Sequence, residues 1–209
     1  MQTALLSKFI SDNSIKGFLA DDEGAALYHL AESVAQYGPC LEIGSYCGKS
    51  TVYIGAACRK SSNILYAVDH HRGSEEHQHG EEYHDGDLYD GVNACVDSFP
   101  FFRKTLTLAS LEENVVPVVA ASQVVAKRWN MPLGLVFIDG GHSHQMAMED
   151  CIAWSAKIAP GGIFAVHDIF PRLEDGGHGP YLAFEHVFNS GNFEKIEQVN
   201  SLGILKRKQ

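Results

Sequence analysis

Two aspartates and a histidine have the residue types and positions that acid–base chemistry requires. Asp139 and Asp168 each follow a short apolar run, at 133–138 and 163–166, and His142 lies three residues after Asp139. If these runs are neighbouring parallel strands, the two carboxylates lie at one edge of a sheet and repel each other unless a cation lies between them. Oxygen ligands at such an edge suit Mg²⁺. A neutral imidazole beside them suits general-base catalysis on a hydroxyl group.

A loop with two glycines lies earlier in the chain, between a predicted strand and a predicted helix. The apolar run at 39–43 ends at Gly44, a second glycine follows at Gly48, and residues 51–57 can form a helix. Glycine lets the backbone come close to a ligand, and a helix N-terminus offers free N–H groups and a partial positive charge to an anion. The loop therefore predicts a ligand-binding turn.

The spacing within this loop separates three classes of ligand-binding turn. A dinucleotide-binding turn needs glycines where Tyr46 and Lys49 stand. A P-loop needs four residues between its first glycine and Gly-Lys-Ser, whereas only three separate Gly44 from Gly48. The loop is one residue short for wrapping a β-phosphate, so a P-loop-like nucleotide hydrolase is kept as the alternative. The remaining class is the cofactor turn of methyltransferases.

The residues at 41–50, Leu-Glu-Ile-Gly-Ser-Tyr-Cys-Gly-Lys-Ser, resemble the first motif of the catechol O-methyltransferase group of class I methyltransferases, including its Tyr-Cys-Gly triplet. The resemblance covers residues 40–170 and implies S-adenosylmethionine as the cofactor, with its methionine end at this loop. The loop residues assigned to the cofactor on this basis are Glu42, Gly44, Ser45, Tyr46, Gly48 and Ser50.

Three residues outside the loop complete the predicted cofactor site. Asp69 ends a second apolar run at 64–68, where an acid of nucleoside-binding α/β folds accepts hydrogen bonds from the ribose hydroxyls. Ser122 follows the apolar run at 115–120 and is expected beside the adenine ring. Asp139 is assigned both to the cofactor and to the metal.

The resemblance extends to the acids at the sheet edge. The metal-dependent catechol enzymes have aspartates matching Asp139 and Asp168, and a lysine base matching His142. Macrolide-sugar O-methyltransferases have an Asp-x-x-His pattern that also matches His142. The resemblance therefore implies His142 as the general base. It implies a divalent ion, with Mg²⁺ expected, held by Asp139, His167 and Asp168.

The chain departs from both enzyme groups at the predicted metal shell. Ile169 replaces the asparagine that completes the shell of the catechol enzymes, and His167 replaces an acid of the sugar enzymes. These departures leave open whether His167 is the third ligand, whether water takes its place, or whether no metal binds.

The alternation of strand-like and helix-like segments predicts the α/β class. We expect a doubly wound, mostly parallel, seven-stranded sheet with helices on both faces, closed by an antiparallel C-terminal hairpin at 193–199 and 202–206. Pro117 lacks the N–H that an inner strand needs, so the run at 115–120 is predicted at an edge, in the strand order 3-2-1-4-5. Residues 88–111 are then predicted to be helical.

The length of 209 residues fits a single domain, with covering helices in 1–38 and the sheet core in 39–209. The N-terminal piece can pack near the active-site face or against a second copy, which leaves a homodimer open. Sixteen basic residues against 26 acidic ones give a net charge of −10, which argues against nucleic acid as a partner.

Cysteine usage and hydropathy indicate the compartment. The five cysteines are scattered and form no Cys-x-x-Cys pair, which is typical of reduced thiols in a cytoplasmic protein. The chain does not start with a basic stretch followed by an apolar core, and no apolar run approaches about 18 residues. Neither export nor a membrane is therefore expected.

The segment at 70–87 is rich in histidine, with five of the 11 in the chain, and almost lacks aliphatic residues. It is predicted to be a loop over the sheet edge. Its spacings fit no closed zinc site, so a solvated lid is favoured over a metal site. This loop and the one at 171–180 are expected to select the acceptor, which the sequence does not name.

The sequence therefore predicts methyl transfer from S-adenosylmethionine to a hydroxyl of a small molecule, assisted by a divalent ion and by His142 as base. Two alternatives remain. One is the nucleotide hydrolase, with Lys49 and Ser50 on phosphate. The other is a non-catalytic module that binds a cofactor or a metal.

Overall fold

Strands and helices alternate through most of the chain. The computed structural model describes residues 2–74 and 85–209. The helices in these ranges are α1 (Gln2–Asp12), α2 (Asp21–Ser33), α3 (Lys49–Lys60), α4 (Phe99–Ala109), α5 (Ser122–Ala126), α6 (His144–Ser155) and α7 (Gly179–Asn189). The strands are β1 (Cys40–Ile43), β2 (Leu65–Asp69), β3 (Tyr89–Asp90), β4 (Cys95–Val96), β5 (Val115–Val119), β6 (Leu133–Ile138), β7 (Ile158–Val166), β8 (Phe193–Val199) and β9 (Leu202–Arg207).

Seven of these strands form one sheet in the order β5-β2-β1-β6-β7-β9-β8. The five neighbouring strands β5, β2, β1, β6 and β7 are parallel, whereas β9 is antiparallel to both β7 and β8. The predicted fold class, a mostly parallel seven-stranded sheet with a C-terminal hairpin, is confirmed. The strand containing Pro117 lies at the sheet edge, where a residue without an N–H group is tolerated.

The register of the parallel strands brings their carboxyl ends to one level. Ile43 of β1 lies opposite Val68 of β2 and Ile138 of β6, and Ile138 lies opposite Val166 of β7. The residues that follow these four positions therefore leave the sheet side by side. Open α/β sheets bind ligands at this edge.

Two apolar layers sandwich the sheet. Successive residues of β1 alternate between them: Cys40 packs in the layer under α2, α3 and α4, whereas Leu41 packs in the layer under α6 and α7. All four residues of β1 and all six of β6 are buried, as expected for parallel strands covered on both faces. Among the described residues, no helix is long and apolar enough to cross a bilayer.

The helix predicted at 88–111 is much shorter in the structure. Only α4 is helical, and β3 and β4 form a small separate antiparallel ladder before it. The turn between these strands is closed by Asp90, whose Oδ1 accepts hydrogen bonds from the N–H groups of Val92 and Asn93. An aspartate turn of this kind competes with helix formation, and Pro100 suits the first turn of α4. The lid predicted at 70–87 lies largely in 75–84, outside the described residues.

Gly44 gives a stability prediction, because the ends of β1 and β6 approach closely there. A Cβ atom at this position would lie 1.9 Å from the carbonyl oxygen of Asp139, and its φ of +87° strains any other residue. We expect Gly44→Ala to lower the free energy of unfolding by more than about 3 kcal/mol. Thermal unfolding checks this against Gly86→Ala, where an added Cβ meets nothing within 4 Å. Equal melting temperatures for the two variants would contradict the account.

Candidate active site

A cavity of about 380 Å³ opens at the carboxyl ends of β1, β2, β6 and β7. Six of the predicted cofactor residues line it, and so do the three predicted to act on the acceptor. The predicted residues that line the cavity are Gly44, Ser45, Tyr46, Ser50, Asp69, Asp139, His142, His167 and Asp168. The sheet register therefore gathers residues from four separate loops around one space.

Asp69 ties two of these loops together. Its Oδ2 accepts a hydrogen bond from the Tyr46 N–H at 2.8 Å, and its Oδ1 accepts one from the His71 N–H at 2.7 Å. Tyr46 and His71 both have left-handed backbones, with φ of 45° and 57°. Such conformations cost free energy in residues other than glycine, so the carboxylate helps to hold both loops in shape. Each oxygen keeps a further lone pair for a ligand.

Three predicted cofactor residues are not among the described residues that line the cavity. Glu42 is fully buried and accepts a hydrogen bond from Thr51 Oγ1 at 2.6 Å. Gly48 begins α3, and a Cβ there would meet the side chains of Thr105 and Phe102. Both residues support the loop on its side away from the cavity.

Ser122 is the third of these residues. Its hydroxyl donates to Asp150 Oδ1 at 2.5 Å and accepts a hydrogen bond from Trp154 Nε1 at 2.7 Å. Gln123 also donates to Asp150 Oδ1. The Ser122 side chain therefore joins α5 to α6, which is a packing role that the sequence did not indicate.

Asp139, His142 and Asp168 form a cluster at the cavity wall. One ligand atom from each of the three lies within 4.8 Å of the others, and His142 Nε2 is 2.8 Å from Asp168 Oδ2. Burial alone would raise the pKa of Asp168, but hydrogen bonds from His142 and His167 outweigh it and lower the pKa. Asp168 is therefore ionised at neutral pH. Two carboxylates and one imidazole at this spacing could hold a divalent cation.

His167 occupies a different place from the metal-ligand position predicted for it. It is 5% exposed, its Nε2 is 3.0 Å from Glu23 Oε2, and its Nδ1 is 3.1 Å from Asp139 Oδ1. Burial lowers the pKa of His167, but the nearby Asp139 and the hydrogen bonds to carboxylates raise it well above its usual range. Among the described residues, the side chains close enough to share one ion are those of Asp139, His142 and Asp168, and His167 is not one of them.

Glu23 is a residue of this site that the sequence reasoning missed. Glu23 lies in the first turn of α2, is 2% exposed and faces His167. Burial raises the pKa of Glu23, but the hydrogen bond with His167 dominates the opposing effects and lowers the pKa to about 2. Nothing in its local sequence marks it, since the contact spans 144 positions.

The segment before α2 forms another wall that the sequence did not assign. Lys16, Gly17, Phe18 and Leu19 all line the cavity. Lys16 pairs with Asp85 at 2.5 Å and with Asp87 at 2.8 Å. The Phe18 ring lies 6.0 Å from that of Tyr46.

The loop at 171–180, which is predicted to select the acceptor, contributes to the cavity wall. Asp175, Gly176 and Gly177 line the cavity beside Phe170. Phe18 and Phe170 add aromatic side chains to the lining of the cavity.

The fold and the cavity together define a Rossmann-like α/β protein with its ligand crevice at the carboxyl ends of the parallel strands. A family model described as a methyltransferase domain matches residues 41–169, from the first strand to the residue after Asp168. The chain belongs to this methyltransferase domain family. The prediction of a methyltransferase is therefore confirmed.

Solved O-methyltransferase structures resemble the chain in fold. The enzyme from Bacillus cereus, solved with S-adenosylhomocysteine, has 14% identity and a TM-score of 0.66, and the match covers 99% of this chain and 90% of that one. TomG from Streptomyces achromogenes, which is involved in tomaymycin synthesis and was solved with S-adenosylmethionine, has 14% identity and a TM-score of 0.64 over 99% and 89%. NovP has 15% identity and a TM-score of 0.70 over 91% and 81%.

Glu42 gives a pH prediction, because burial raises its pKa from an ordinary 4.5 to about 7. Between these values the unfolded chain has lost the proton that the folded chain keeps, so raising the pH favours unfolding. Glu42→Gln removes this titration and keeps an oxygen for Thr51. Between pH 4.5 and about pH 7, the free energy of unfolding of the wild type should fall by up to about 3 kcal/mol more than that of the variant. Urea unfolding across the window checks this, and parallel pH profiles for the two proteins would contradict it.

Proposed function

We propose that the protein transfers a methyl group from S-adenosylmethionine to a hydroxyl of a small molecule. The observation that carries the proposal is the presence, around one cavity, of the glycine loop of a methyltransferase domain and the cluster of Asp139, His142 and Asp168. Two structural neighbours solved with S-adenosylmethionine or S-adenosylhomocysteine are O-methyltransferases, which supports both the cofactor and the acceptor class.

The cofactor half of the cavity is formed by the loop after β1 and by Asp69. S-adenosylmethionine, when bound, supplies an electrophilic methyl carbon. Gly44, Ser45 and Tyr46 present backbone groups on one wall, and Asp69 presents carboxylate oxygens that can accept hydrogen bonds from ribose hydroxyls. We assign these residues and Ser50 to cofactor binding. Glu42, Gly48 and Ser122 act behind the cavity wall.

The acceptor half is formed by the acids and His142. His142 is placed to take the proton of the acceptor hydroxyl, because its Nε2 lies 2.8 Å from Asp168 Oδ2, a contact that orients the ring at the cavity wall. Asp139 and Asp168, which lie beside His142, supply carboxylate oxygens that could hold a divalent ion. Such an ion would lower the pKa of the acceptor hydroxyl.

A cytoplasmic location is part of the proposal. The five cysteines are all free thiols in the structure, and four of them are buried. Reduced cysteines are typical of cytoplasmic proteins.

Calorimetry with S-adenosylhomocysteine tests the cofactor assignment. We expect micromolar binding by the wild type, and Asp69→Asn should weaken it at least about tenfold, since an amide cannot accept at both of its terminal atoms. Asp12→Asn, an exposed change on α1, is the matched control and should leave binding unaltered. Binding of ATP without any heat from S-adenosylhomocysteine would favour the nucleotide hydrolase instead.

His142→Ala tests the base assignment. We expect turnover with labelled S-adenosylmethionine and a panel of phenols and hydroxylated sugars to fall about 10²- to 10⁴-fold, because proton removal is lost. Affinity for S-adenosylhomocysteine should stay within about twofold, since the ring belongs to the acceptor half. His144→Ala is the neighbouring control, since His144 is the first residue of α6 and does not line the cavity. Unchanged turnover in His142→Ala would contradict the base assignment. Loss of Mn²⁺ binding in this variant would instead identify His142 as a metal ligand.

A further inference from the structure

A buried carboxylate from the N-terminal helix α2 reaches the acids of the candidate site. Glu23 accepts hydrogen bonds from the N–H groups of Ala20 and Ser201, both at 2.9 Å, and from the Ser201 hydroxyl at 2.8 Å. Its remaining contact is with His167 Nε2 at 3.0 Å. Four donors thus fix one side chain that is 2% exposed. This fixed acceptor determines the orientation of the His167 ring.

The other nitrogen of the ring faces the acids. His167 Nδ1 lies 3.1 Å from Asp139 Oδ1 and 3.4 Å from Asp168 Oδ1. Both ring nitrogens therefore face carboxylate oxygens, and the ring is held between Glu23 on one side and the two aspartates on the other.

We propose that Glu23 is a positioning residue, which acts through His167 to hold Asp139 and Asp168 in place for a divalent cation. The proposal deepens the function inferred above and rests on it. Each aspartate uses one oxygen, Oδ1, toward His167. The second oxygen of each is then held at the cavity wall, where His142 lies. Residues behind metal ligands commonly set ligand orientation and metal affinity in this way.

A purely structural role for Glu23 makes a different prediction. Glu23 also links α2 to the turn between β8 and β9 through Ser201, and Asn200 in the same turn donates to Asp22. If linking α2 to this turn were the whole role of Glu23, then removing a donor from Ser201 would alter the site as much as a substitution of Glu23. Ser201→Ala removes one hydroxyl donor and leaves the contact between Glu23 and His167 in place.

The experiment measures Mn²⁺ binding by electron paramagnetic resonance on the full chain with S-adenosylhomocysteine present. Glu23→Gln replaces a carboxylate oxygen by an amide nitrogen and disturbs the contact that orients the His167 ring, so Mn²⁺ binding should weaken about 10- to 100-fold. Glu23→Asp keeps the charge with a shorter reach and should weaken binding by less. Ser201→Ala should lower the melting temperature and leave Mn²⁺ affinity within about twofold.

Glu32→Gln is the matched control, since Glu32 lies on the same helix and pairs with Lys60 away from the cavity. It should alter neither Mn²⁺ nor S-adenosylhomocysteine binding. The inference is overturned if Glu23→Gln and Glu23→Asp bind Mn²⁺ like the wild type, or if Ser201→Ala weakens binding equally. A wild type that binds S-adenosylhomocysteine but no Mn²⁺ also overturns it. Failure to bind S-adenosylhomocysteine would instead count against the proposed function.

Discussion

The site depends on one constraint, which is that the parallel strands all end at the same level of the sheet. Hydrogen-bonded register places Ile43, Val68, Ile138 and Val166 side by side, so the four following segments diverge from one line. At the centre of this line, the backbone at Gly44 leaves no room for a side chain against the Asp139 carbonyl. The glycine is thus required first by the contact between β1 and β6. Its role in ligand binding comes second, because that role depends on the crevice that this contact opens.

The second organising feature is the concentration of charge at that edge. Glu23, Asp139 and Asp168 surround the buried ring of His167, and separating any one of these charges from its partners would leave an uncompensated charge away from water. The Asp168 backbone has a φ of 57°, which is unfavourable outside glycine. Its side-chain contacts with His142 and His167 hold it there. Strain and charge are therefore balanced within one small group of residues.

Much of this arrangement follows from local sequence patterns. Apolar runs ending in Asp69, Asp139 and Asp168 are enough to predict the strands and the side of the sheet on which their acids meet. The edge position of the strand with Pro117 follows from the missing N–H group. The glycine loop is likewise recognisable, since its residue spacing departs from that of a dinucleotide-binding turn and is one residue short of a P-loop.

Other parts depend on contacts that no local pattern contains. Glu23 reads as an acid of a helix first turn, and only the packing of α2 against the far end of the chain reveals its contact with His167. Ser122 reads as a residue beside a ligand, but a buried carboxylate on α6 takes its hydroxyl. The helix predicted from 88 failed because the side chain of Asp90 closes a turn that competes with helical hydrogen bonds.

The departure at Ile169 is explained by the same turn that holds Glu23. Ile169 is 1% exposed, and its N–H donates to the Ser201 carbonyl at 2.8 Å, so the chain enters the core directly after Asp168. Ser201 in turn donates to Glu23 from its own N–H and hydroxyl. A polar ligand at position 169 would therefore have to displace an apolar side chain from the core. The polar groups around the two aspartates come instead from the loop after β6 and from α2 by way of His167, which neighbouring residues alone could not indicate.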